Sequence, residues 1–532
     1  MKNSEPVNNN NKNQSKSSNS YISSYLKENE ESIREAFGNS ADLVLRKVKI
    51  GANQNINVLI VYIEGLIDNK LMSKTVIKPI TTFPDNKLKS PSPNEIHNKL
   101  KESQLTVNHL TEVYKLEDIL NKILDGYCAL IVEGTNKALL CDVIGFEHRP
   151  VSEPINESAI RGPHEGFNET IRVNTSLLRR RIKDPRLTIE ELTLGKIGNT
   201  KIDIIYIRGL ANPKVLQEIK NRIKKIKDEV DSIQLSGQLE EYIQDAPFSP
   251  FPTILNTERP DRIVGALYEG RYAILVDGTP YNLIVPCTLG MFITSIEDYT
   301  QRFFYGSFLR LLRWVSFLIA LTLPSIYVAI TSFHQEMLPT NLVLALAAQR
   351  EGVPLPAVAE AFMMEIVFEI LREAGIRMPR LVGPAISIVG VLVIGQAAVQ
   401  AGLVSAAMTI IVGLTAIASF ITPIYSIGIA IRLLRFPIII LAGSLGLFGI
   451  SAGLLAILIH LTSLRSFGVP YFEPFGPIIL SDLKDSLIRF PFWAYRTRPK
   501  FTTHNSIRQT ARLKPKPLRQ EEKEIEHNYG DD

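Results

Sequence analysis

The 532-residue chain has very little cysteine: only Cys128, Cys141 and Cys287. Three thiols cannot form the disulfide framework of a small secreted protein, and they suit a reducing compartment as ordinary buried thiols. A pairing of Cys128 with Cys141 across a hairpin is the one alternative that the spacing leaves open.

The amino terminus has no apolar stretch of the kind found in a signal peptide. Residues 1–20 form a tract rich in Asn, Ser and Lys, whereas a secretory signal needs an apolar segment of about 7 to 15 residues. We therefore expect the polar first part of the chain to stay in the cytoplasm.

Motifs of enzymes are also missing. The sequence contains no phosphate-binding loop of the form Gly-x-x-x-x-Gly-Lys-Ser/Thr, no His-Glu-x-x-His and no Cys-x-x-Cys. Residues 449–453 match Gly-x-Ser-x-Gly, but they lie inside an apolar run with no strand before them. We expect no enzyme activity, no catalytic residue, no cofactor and no metal, and we interpret Gly443, Gly446, Gly449 and Gly453 as a smooth face for helix packing.

Charge is absent from long stretches of the last 220 or so residues. The segments Trp314–Phe333, Leu381–Ile431 and Phe436–Ile459 hold 20, 51 and 24 residues without Asp, Glu, Lys, Arg or His. About 20 apolar residues cross a hydrocarbon core, so the longest run must fold back, and we place that turn at 400–402. At least four membrane spans follow.

Basic residues constrain the topology. Arg302, Arg310 and Arg313 precede the first span, and eight Lys or Arg with no acid lie between Arg496 and Arg519. The positive-inside rule places both flanks, and so both termini, in the cytoplasm, which requires an even number of crossings. Arg432 and Arg435 disturb a four-span count. A crossing at 356–371 with a sixth span, or a re-entrant dip at 468–480, accommodates them, so we expect four to six spans.

The polar part contains an internal repeat. Residues 125–135 match residues 269–279, and residues 61–66 match residues 205–210, both at an offset of 144. β-branched runs predict strands, and Val215, Ile219, Ile223 and Ile226 recur at helical spacing within 214–232. Gly134 and Gly278 predict hairpin turns. The fold class is therefore two duplicated α/β subdomains followed by a transmembrane helical region.

The segment between the two copies, 149–186, is rich in Pro and Gly and ends near three consecutive arginines, Arg179 to Arg181. Such punctuation disfavours a long helix. It is either an ordered linker with a solvated basic patch or a segment that docks partner subunits or anionic lipid. For subunit docking the candidate residues are Arg161, Glu165, Glu258 and Arg259.

One apolar segment, 356–375, carries carboxylates. On a helix, Glu365, Glu369, Arg372 and Glu373 share one face. Charges in lipid cost about 2.5 to 3.5 kcal/mol each on insertion scales. The segment is predicted either to face a watery cavity or pore, with Glu365 and Glu369 as candidate pore or gating residues, or to lie at the interface with Glu369 and Arg372 paired. Replacing Glu369 by Leu should then impair assembly or gating.

Neutral polar residues occur in the uncharged runs. Gln396 and Gln400 lie four residues apart, and Thr409 follows them. These residues suit either a pore lining or hydrogen bonds between helices.

Several segments together resemble one family, the A subunits of the GerA-type nutrient germinant receptors of endospore-forming bacteria. The matching segments are Arg161–Phe167, Thr257–Asp261, Leu267–Arg271, Val276–Pro280, Glu297–Tyr299, Pro324–Ala329, Arg372–Pro379, Ile394–Val399 and Gly468–Tyr471.

The resemblance implies a multi-pass subunit of the spore inner membrane. It also implies a transporter-like B subunit and a lipoprotein C subunit as partners, a homo-oligomer in contact with membrane lipid, and no nucleic acid. The A subunit is expected to form a channel that releases cations when nutrient is sensed; the alternative is a signalling scaffold without conduction. We expect a polar tail and lead helix at 1–38, subdomains at 39–150 and 184–300, a connector at 151–183, a transmembrane region at 301–466 and a basic cytoplasmic tail at 467–532.

Overall fold

The structure is a computed structural model. It describes residues 21–50, 56–82, 92–145, 154, 157, 161–227, 229–377, 395–504 and 507–508. Residues 1–20 of the predicted tail, much of the predicted connector before residue 161, residues 378–394 of the long uncharged run and the end of the chain lie outside these ranges.

The first subdomain is a five-stranded antiparallel sheet in the order β1-β2-β4-β5-β3. In strand β2, alternate side chains face opposite layers: Leu59, Val61 and Ile63 pack with α1 and α5, while Val58 and Ile60 pack with Met72, Val76, Ile96 and Leu100 of the helical layer. The period of two in a buried strand produces these two cores. The elements are α1 (Leu26–Phe37), β1 (Leu43–Ile50), β2 (Ile56–Ile63), α2 (Asn69–Met72), α3 (Lys78–Thr81), α4 (Pro93–Lys99), β3 (Leu110–Val113), α5 (Leu116–Leu124), β4 (Tyr127–Val132) and β5 (Ala138–Asp142), with π-helical turns at Ser73–Ile77 and Leu100–Gln104.

The second subdomain repeats this architecture in the order β6-β7-β9-β10-β8. Leu43 pairs with Ile63 in the first sheet and Leu187 with Ile207 in the second, so the predicted offset of 144 also relates the two registers. The elements are α6 (Ile171–Arg181), β6 (Leu187–Leu194), β7 (Thr200–Ile207), α7 (Pro213–Lys227), α8 (Ser236–Ile243), β8 (Leu255–Thr257), α9 (Pro260–Tyr268), β9 (Tyr272–Val276), β10 (Asn282–Val285), α10 (Leu289–Ile293) and α11 (Glu297–Thr300).

Several local predictions are confirmed. Gly134 and Gly278 take φ of +84° and +88° in their hairpin turns, and the four aliphatic residues of the 214–232 helix are all buried on α7, which ends earlier, at Lys227. Cys128 and Cys141 face each other across β4 and β5, yet both are free thiols. The disulfide alternative is therefore wrong.

The helical region follows α11. It comprises α12 (Phe303–Phe333), a 3-10 turn at Gln335–Met337, α13 (Thr340–Arg350), α14 (Ala357–Arg377), α15 (Gly395–Gln400), α16 (Ala406–Phe420) and α17 (Tyr425–Ser463). Among the described residues, α12 and α17 are long and apolar enough to span a membrane. The predicted turn at 400–402 is present, because α15 ends at Gln400 and Gly402 takes φ of +66°.

The run from Phe436 to Ile459 does not form the single span that its length predicts. Gly446 takes φ of +62° and ψ of −140° inside α17, and a Cβ built on Gly453 would lie 3.7 Å from Cγ1 of Ile438. Fifteen residues along a straight helix cover about 22 Å. The chain therefore reverses at Gly446, and 425–445 and 447–463 form an antiparallel helical hairpin.

Helices of this region run alternately away from the subdomains and back. Helix α12 starts beside Asp298 and ends at Phe333, next to Gly446 at the hairpin tip. Helix α14 then returns, since Val358 contacts Gly443 and Glu369 lies near Arg432. The second arm of α17 ends at the subdomains, where Ser249 hydrogen-bonds His460 at 2.8 Å.

The carboxyl-terminal segment, for which the sequence predicts a basic cytoplasmic tail at 467–532, forms short strands and turns in its described residues. Strands β11 (Arg465–Ser466) and β12 (Val469–Pro470) and 3-10 turns at Leu483–Asp485 and Phe492–Ala494 follow α17. The Oγ atom of Ser466 donates to the carbonyl of Thr253 at 2.7 Å, and that of Thr502 donates to Glu269 at 2.9 Å. Residues 465–504 therefore pack against the second subdomain.

Arg179 joins the two subdomains. It lies on α6, is fully buried, and donates from Nε to Asp42 at 2.7 Å and from Nη2 to Ser40 at 2.9 Å. Burial alone would raise the pKa of Asp42, but Arg179 and Ser40 together lower it below its ordinary value. The arginine triplet is therefore not a wholly solvated patch, and the connector contains an 11-residue helix.

Replacing Arg179 by Met should destabilise the protein. Asp42 would remain buried without its charge partner, a loss that costs roughly 3 kcal/mol or more. For a domain of this size, we expect the Tm of the purified full chain to fall by roughly 6 to 12 °C, measured by light scattering and intrinsic fluorescence.

Arg180→Met provides the matched control. Arg180 is 40% exposed and its ion pair with Glu165 spans 3.9 Å, so the Tm should change by less than about 3 °C. Equal losses for the two variants would contradict a special role of the buried pair.

Candidate functional site in the helical region

Helix α14 places two carboxylates inside the bundle of apolar helices. Its buried face consists of Ala357, Glu360, Ala361 and Glu365, and the helix packs against α12, α16 and α17. A buried carboxylate is stable only when donors or cations satisfy its oxygens. The partners of Glu360 and Glu365 therefore define the site.

One carboxylate oxygen of Glu360 is satisfied by the start of α16, whereas its Oε2 has no hydrogen-bond partner among the described residues. Its Oε1 accepts hydrogen bonds from the backbone N–H and the hydroxyl of Ser405, with the N–H donor at 2.6 Å. Ser405 is also the N-cap of α16 and accepts from the N–H of Met408 at 3.2 Å. The positive end of the α16 dipole thus faces the Glu360 carboxylate. Glu360 was not among the predicted site residues, because its partner lies 45 residues away.

Glu365 forms a buried ion pair with Arg435 on the first arm of α17. Arg435 also donates from Nε to the carbonyl of Ala320 on α12 at 2.7 Å. This pair links three helices. It also corrects the interpretation of Arg435 as a charge that flanks a span, because Arg435 lies inside a helix and its charge is neutralised within the bundle.

Glu369 lies one turn further along α14. It pairs with Arg372 three residues on, as the interfacial alternative predicted, and Arg432 of α17 lies 3.6 Å away. The cation of Arg432 also lies over the Tyr425 ring, 5.5 Å from its centroid. Glu373, by contrast, is exposed and pairs with Arg377. The carboxylates of α14 thus change from buried to solvent-accessible along the helix.

The uncharged pore candidates Gln396, Gln400 and Thr409 lie on α15 and α16. Gln396 and Gln400 are exposed, whereas Thr409 is half-buried and donates to the carbonyl of Ser405 at 3.1 Å. The Thr409 hydroxyl therefore hydrogen-bonds within its own helix, and this hydrogen bond does not bridge to another helix.

The four glycines lie in the hairpin of α17. Gly443 is approached closely by Val358 of α14, and Gly446 forms the reversal beside Phe333 and His334. Gly449 and Gly453 face Leu441 and the first arm. A side chain at Gly449 would collide with the Leu441 carbonyl, so these two glycines allow the arms to approach within the same chain.

The predicted docking residues separate into two groups. Arg161 is exposed and Glu165 is half-exposed, with its carboxylate 2.7 Å from Arg181. Arg259 is buried: it pairs with Asp261 at 2.8 Å and donates to the carbonyls of Glu157 and Pro163. Glu258 is buried too. The prediction of a docking surface is therefore corrected for Glu258 and Arg259, which lie inside the chain.

A second group of buried charges lies where α12 leaves the second subdomain. Arg310 donates from Nε to Asp298 at 3.1 Å and from Nη1 to Asp485 at 2.9 Å, and Arg313 donates to Asp298 at 2.8 Å. Tyr299 donates its hydroxyl to Asp485 at 2.9 Å, because burial and the nearby Asp485 raise the Tyr299 pKa and keep the phenol protonated. In the sequence alone, these arginines indicate only the topology of the first span.

The chemistry of both groups is that of ion pairs in a low-dielectric interior. Among the residues that the structure describes, no set of three or more His, Cys, Asp or Glu could hold a metal. Charge pairs of this kind hold helices in register and can exchange partners when the helices move. The arrangement thus suits a protein whose helices move relative to one another.

Glu365→Leu should destabilise the helical bundle. Arg435 would remain buried without a counter-ion, at a cost of roughly 3 to 5 kcal/mol, whereas Glu365→Leu with Arg435→Leu removes both charges and should recover much of it. The readout is the yield and Tm of monodisperse protein in detergent.

Glu373→Leu serves as the control, since its carboxylate is 51% exposed and its pair with Arg377 lies at the surface. If the double variant were as unstable as Glu365→Leu alone, an uncompensated charge would not explain the loss.

Comparisons with known proteins agree with the predicted resemblance. The family model of the Bacillus/Clostridium GerA spore germination protein matches residues 31–501. Spore germination protein KA of Bacillus subtilis (strain 168) is 43% identical over 497 residues, which cover 93% of this chain and 90% of that protein. Spore germination protein GerLA of Bacillus cereus is 37% identical over 488 residues, covering 90% and 96%.

Among solved structures, the N-terminal domain of the A subunit of the Bacillus megaterium spore germinant receptor GerK3 covers 50% of this chain and 97% of that one, with a TM-score of 0.39 and 36% identity. The family match extends over most of the sequence, through both subdomains and the helical region. The chain therefore belongs to the Bacillus/Clostridium GerA family of spore germination proteins, whose A subunits it resembles.

Proposed function

We propose that this chain is the A subunit of a nutrient-responsive germinant receptor, and that several copies together form an ion channel in the spore inner membrane. Opening of this channel, in a receptor with a transporter-like B subunit and a lipoprotein C subunit, releases cations and triggers germination. The observation that carries the proposal is the row of charges on α14, paired across apolar helices by Arg435 and Arg432.

Ionisable residues at membrane depth are costly and pair with one another or face water. An anchor requires no such groups. The Glu365–Arg435 pair is instead a contact with two possible arrangements, closed when the ions pair and open when water or a permeating cation replaces the arginine. A movable buried pair is what a gate needs.

The glutamines of α15 support the same proposal. Both Gln396 and Gln400 are exposed on the single chain, although neighbouring α16 and α17 present Ile410, Leu414 and Leu433 outward. Amide side chains in contact with lipid tails would lose their hydrogen bonds to water. These amides therefore suit the lumen of an oligomer or the contact between its subunits.

The helix directions support six crossings. Helix α14 leads back toward the subdomains, while Gly402 lies beside Gly352 at the far end of the bundle, so the end of α14 and Gly402 lie at opposite ends of the bundle. With α12, α16 and the two arms of α17, the described helices leave both flanks of the region on the side of the subdomains. An even count agrees with the basic flanks, and from the positive-inside rule we propose that both termini lie in the cytoplasm.

A second candidate is a membrane-anchored signalling scaffold without conduction. The observation that favours it is the buried cluster of Asp298, Arg310, Arg313 and Asp485, which fastens the second subdomain to α12 and could pass on a movement without any ion flow. The two candidates differ in one measurable quantity, the flux of ions.

Liposomes that contain this chain and its B and C partners should release K⁺ on addition of the nutrient that activates the intact spores. Gln400→Leu should reduce the flux severalfold, because an apolar side chain in the lumen dehydrates the path of the ion. A K⁺-selective electrode records the release. Gln396→Leu and Ala398→Phe test the same helix in germinating spores.

The conservative variant Ile410→Leu, on an exposed position of α16, should leave the flux unchanged. Absence of flux from the wild-type assembly, with germination intact in the same strain, would favour the scaffold. Normal flux from Gln400→Leu together with normal germination of Gln396→Leu and Ala398→Phe would remove α15 from the pore.

A further inference from the structure

A cavity of 570 Å³ lies between the second subdomain and the carboxyl-terminal segment. One wall comes from α9 and from residues 288–299, which lead into α12. The other wall comes from residues 473–499 and Arg508. Cavities of roughly 300 to 1,000 Å³ accommodate small organic ligands. The cavity lies outside the bundle of α14, α16 and α17 and is separate from the proposed ion path.

Glu473 in the cavity wall has an unsatisfied carboxylate. The residue is 3% exposed, and neither of its two carboxylate oxygens has a hydrogen-bond donor among the described residues. Burial raises its pKa to about 7; Arg271 opposes this shift, and Asp482 and Glu269 add to it. A buried acceptor without a donor costs roughly 1 to 3 kcal/mol, more when charged. The site therefore needs a donor.

Several neighbouring charged groups of the wall already have partners, although Nε of Arg271 makes no hydrogen bond among the described residues and lies 3.7 Å from Glu269. Asp485 accepts from Tyr299, Tyr495 and Arg310. Arg262 donates to the carbonyl of Met291 at 2.8 Å. Similarly, Arg498 donates to the carbonyl of Tyr268 at 2.9 Å. None of these groups supplies the hydrogen bonds that Glu473 lacks.

Aromatic rings complete the wall. Tyr299, Phe492 and Tyr495 line the cavity, and the rings of Phe492 and Tyr495 form an edge-to-face pair with centroids 6.3 Å apart. Aromatic faces attract cations and also pack against hydrocarbon. Arg489 already lies over the Tyr299 and Phe492 rings and Arg508 over the Tyr495 ring, so the rings offer hydrocarbon surface next to the Glu473 carboxylate for the apolar part of an organic cation.

We propose that this cavity binds a small organic molecule with a protonated amino group, which donates its hydrogen bonds to Glu473 while its hydrocarbon part packs against the aromatic rings of the wall. An ammonium group supplies three donors and the positive charge that a buried carboxylate requires. The site is formed by the second subdomain and the carboxyl-terminal segment, and it does not depend on whether the helical region conducts ions.

The test compares 4-fluorobenzylamine with its neutral counterpart 4-fluorobenzyl alcohol on the purified full chain in lipid nanodiscs. Fluorine NMR titration gives both affinities. The amine should bind at least tenfold more tightly than the alcohol, and Glu473→Gln should reduce this preference to near one. Glu241→Gln, a change at an exposed carboxylate outside the cavity, should keep the full preference.

A second variant keeps the test valid if Glu473→Gln fails to fold. Gly265 lines the cavity, and a Cβ built there meets no atom within 4 Å. Gly265→Leu should therefore fold normally, fill the space and abolish binding. Equal binding of amine and alcohol to the wild type, no amine binding at all, or unchanged binding to Gly265→Leu would overturn the proposal.

The pH dependence gives an independent readout. The pKa of Glu473 is raised to about 7, so the free site loses its negative charge as the pH falls below 7. The amine itself stays protonated below about pH 8, as alkylamines do. Affinity should fall up to tenfold between pH 8 and pH 6 in the wild type and stay flat in Glu473→Gln. A flat wild-type profile would contradict an ionised Glu473 as the acceptor.

Discussion

The buried cluster of Asp298, Arg310, Arg313 and Asp485 is the constraint on which the rest of the structure depends. It lies where the second α/β subdomain meets an apolar helix, and the charges of Asp298, Arg310 and Arg313 must find partners because burial removes them from water. Asp298 comes from the subdomain, the arginines from α12, and Asp485 from the segment after the last helix. Three parts of the chain, more than 180 residues apart at the extremes, are therefore fixed to one another.

The same rule organises the helical region. An apolar bundle has no hydrophobic reason to hold a particular register in lipid, because its surface and its surroundings are equally apolar. The buried contacts of Glu360 with Ser405 and of Glu365 with Arg435 supply that register, and the glycines of the α17 hairpin allow backbones close enough for the contacts to form. The polar pairs set the register of the helices, and the apolar side chains pack around them.

The sequence was sufficient for the parts of the fold that local patterns encode. The turns at Gly134 and Gly278 and the buried face of α7 depend on residues close together in the chain. The offset of 144 is read from short segments that are each local. The reversal at Gly446 leaves no trace in the hydropathy, because an uncharged run has the same hydropathy whether it continues or reverses, and only the positive φ of Gly446 reveals the turn. The sequence does not indicate the partner of Arg435, because Glu365 lies 70 residues away. Arg259 pairs with the nearby Asp261, but the carbonyls that it also binds, those of Glu157 and Pro163, lie about 100 residues away in the connector. Long-range pairing of charges leaves no local signature, so the candidate site was only partly predictable.

The cavity beside Glu473 and the start of α12 share a wall. Asp485 lines the cavity and also accepts the hydrogen bond of Arg310, while Tyr299 lines the cavity and donates to Asp485. Any ligand that moves Asp485 must therefore strain or release its contact with Arg310, and a buried arginine cannot lose its partner without a large cost. Helix α12 extends from this contact to the far end of the bundle, where Phe333 touches the hairpin at Gly446. Occupancy of the proposed site beside Glu473 and the packing of the helical region are thus two ends of one chain of contacts.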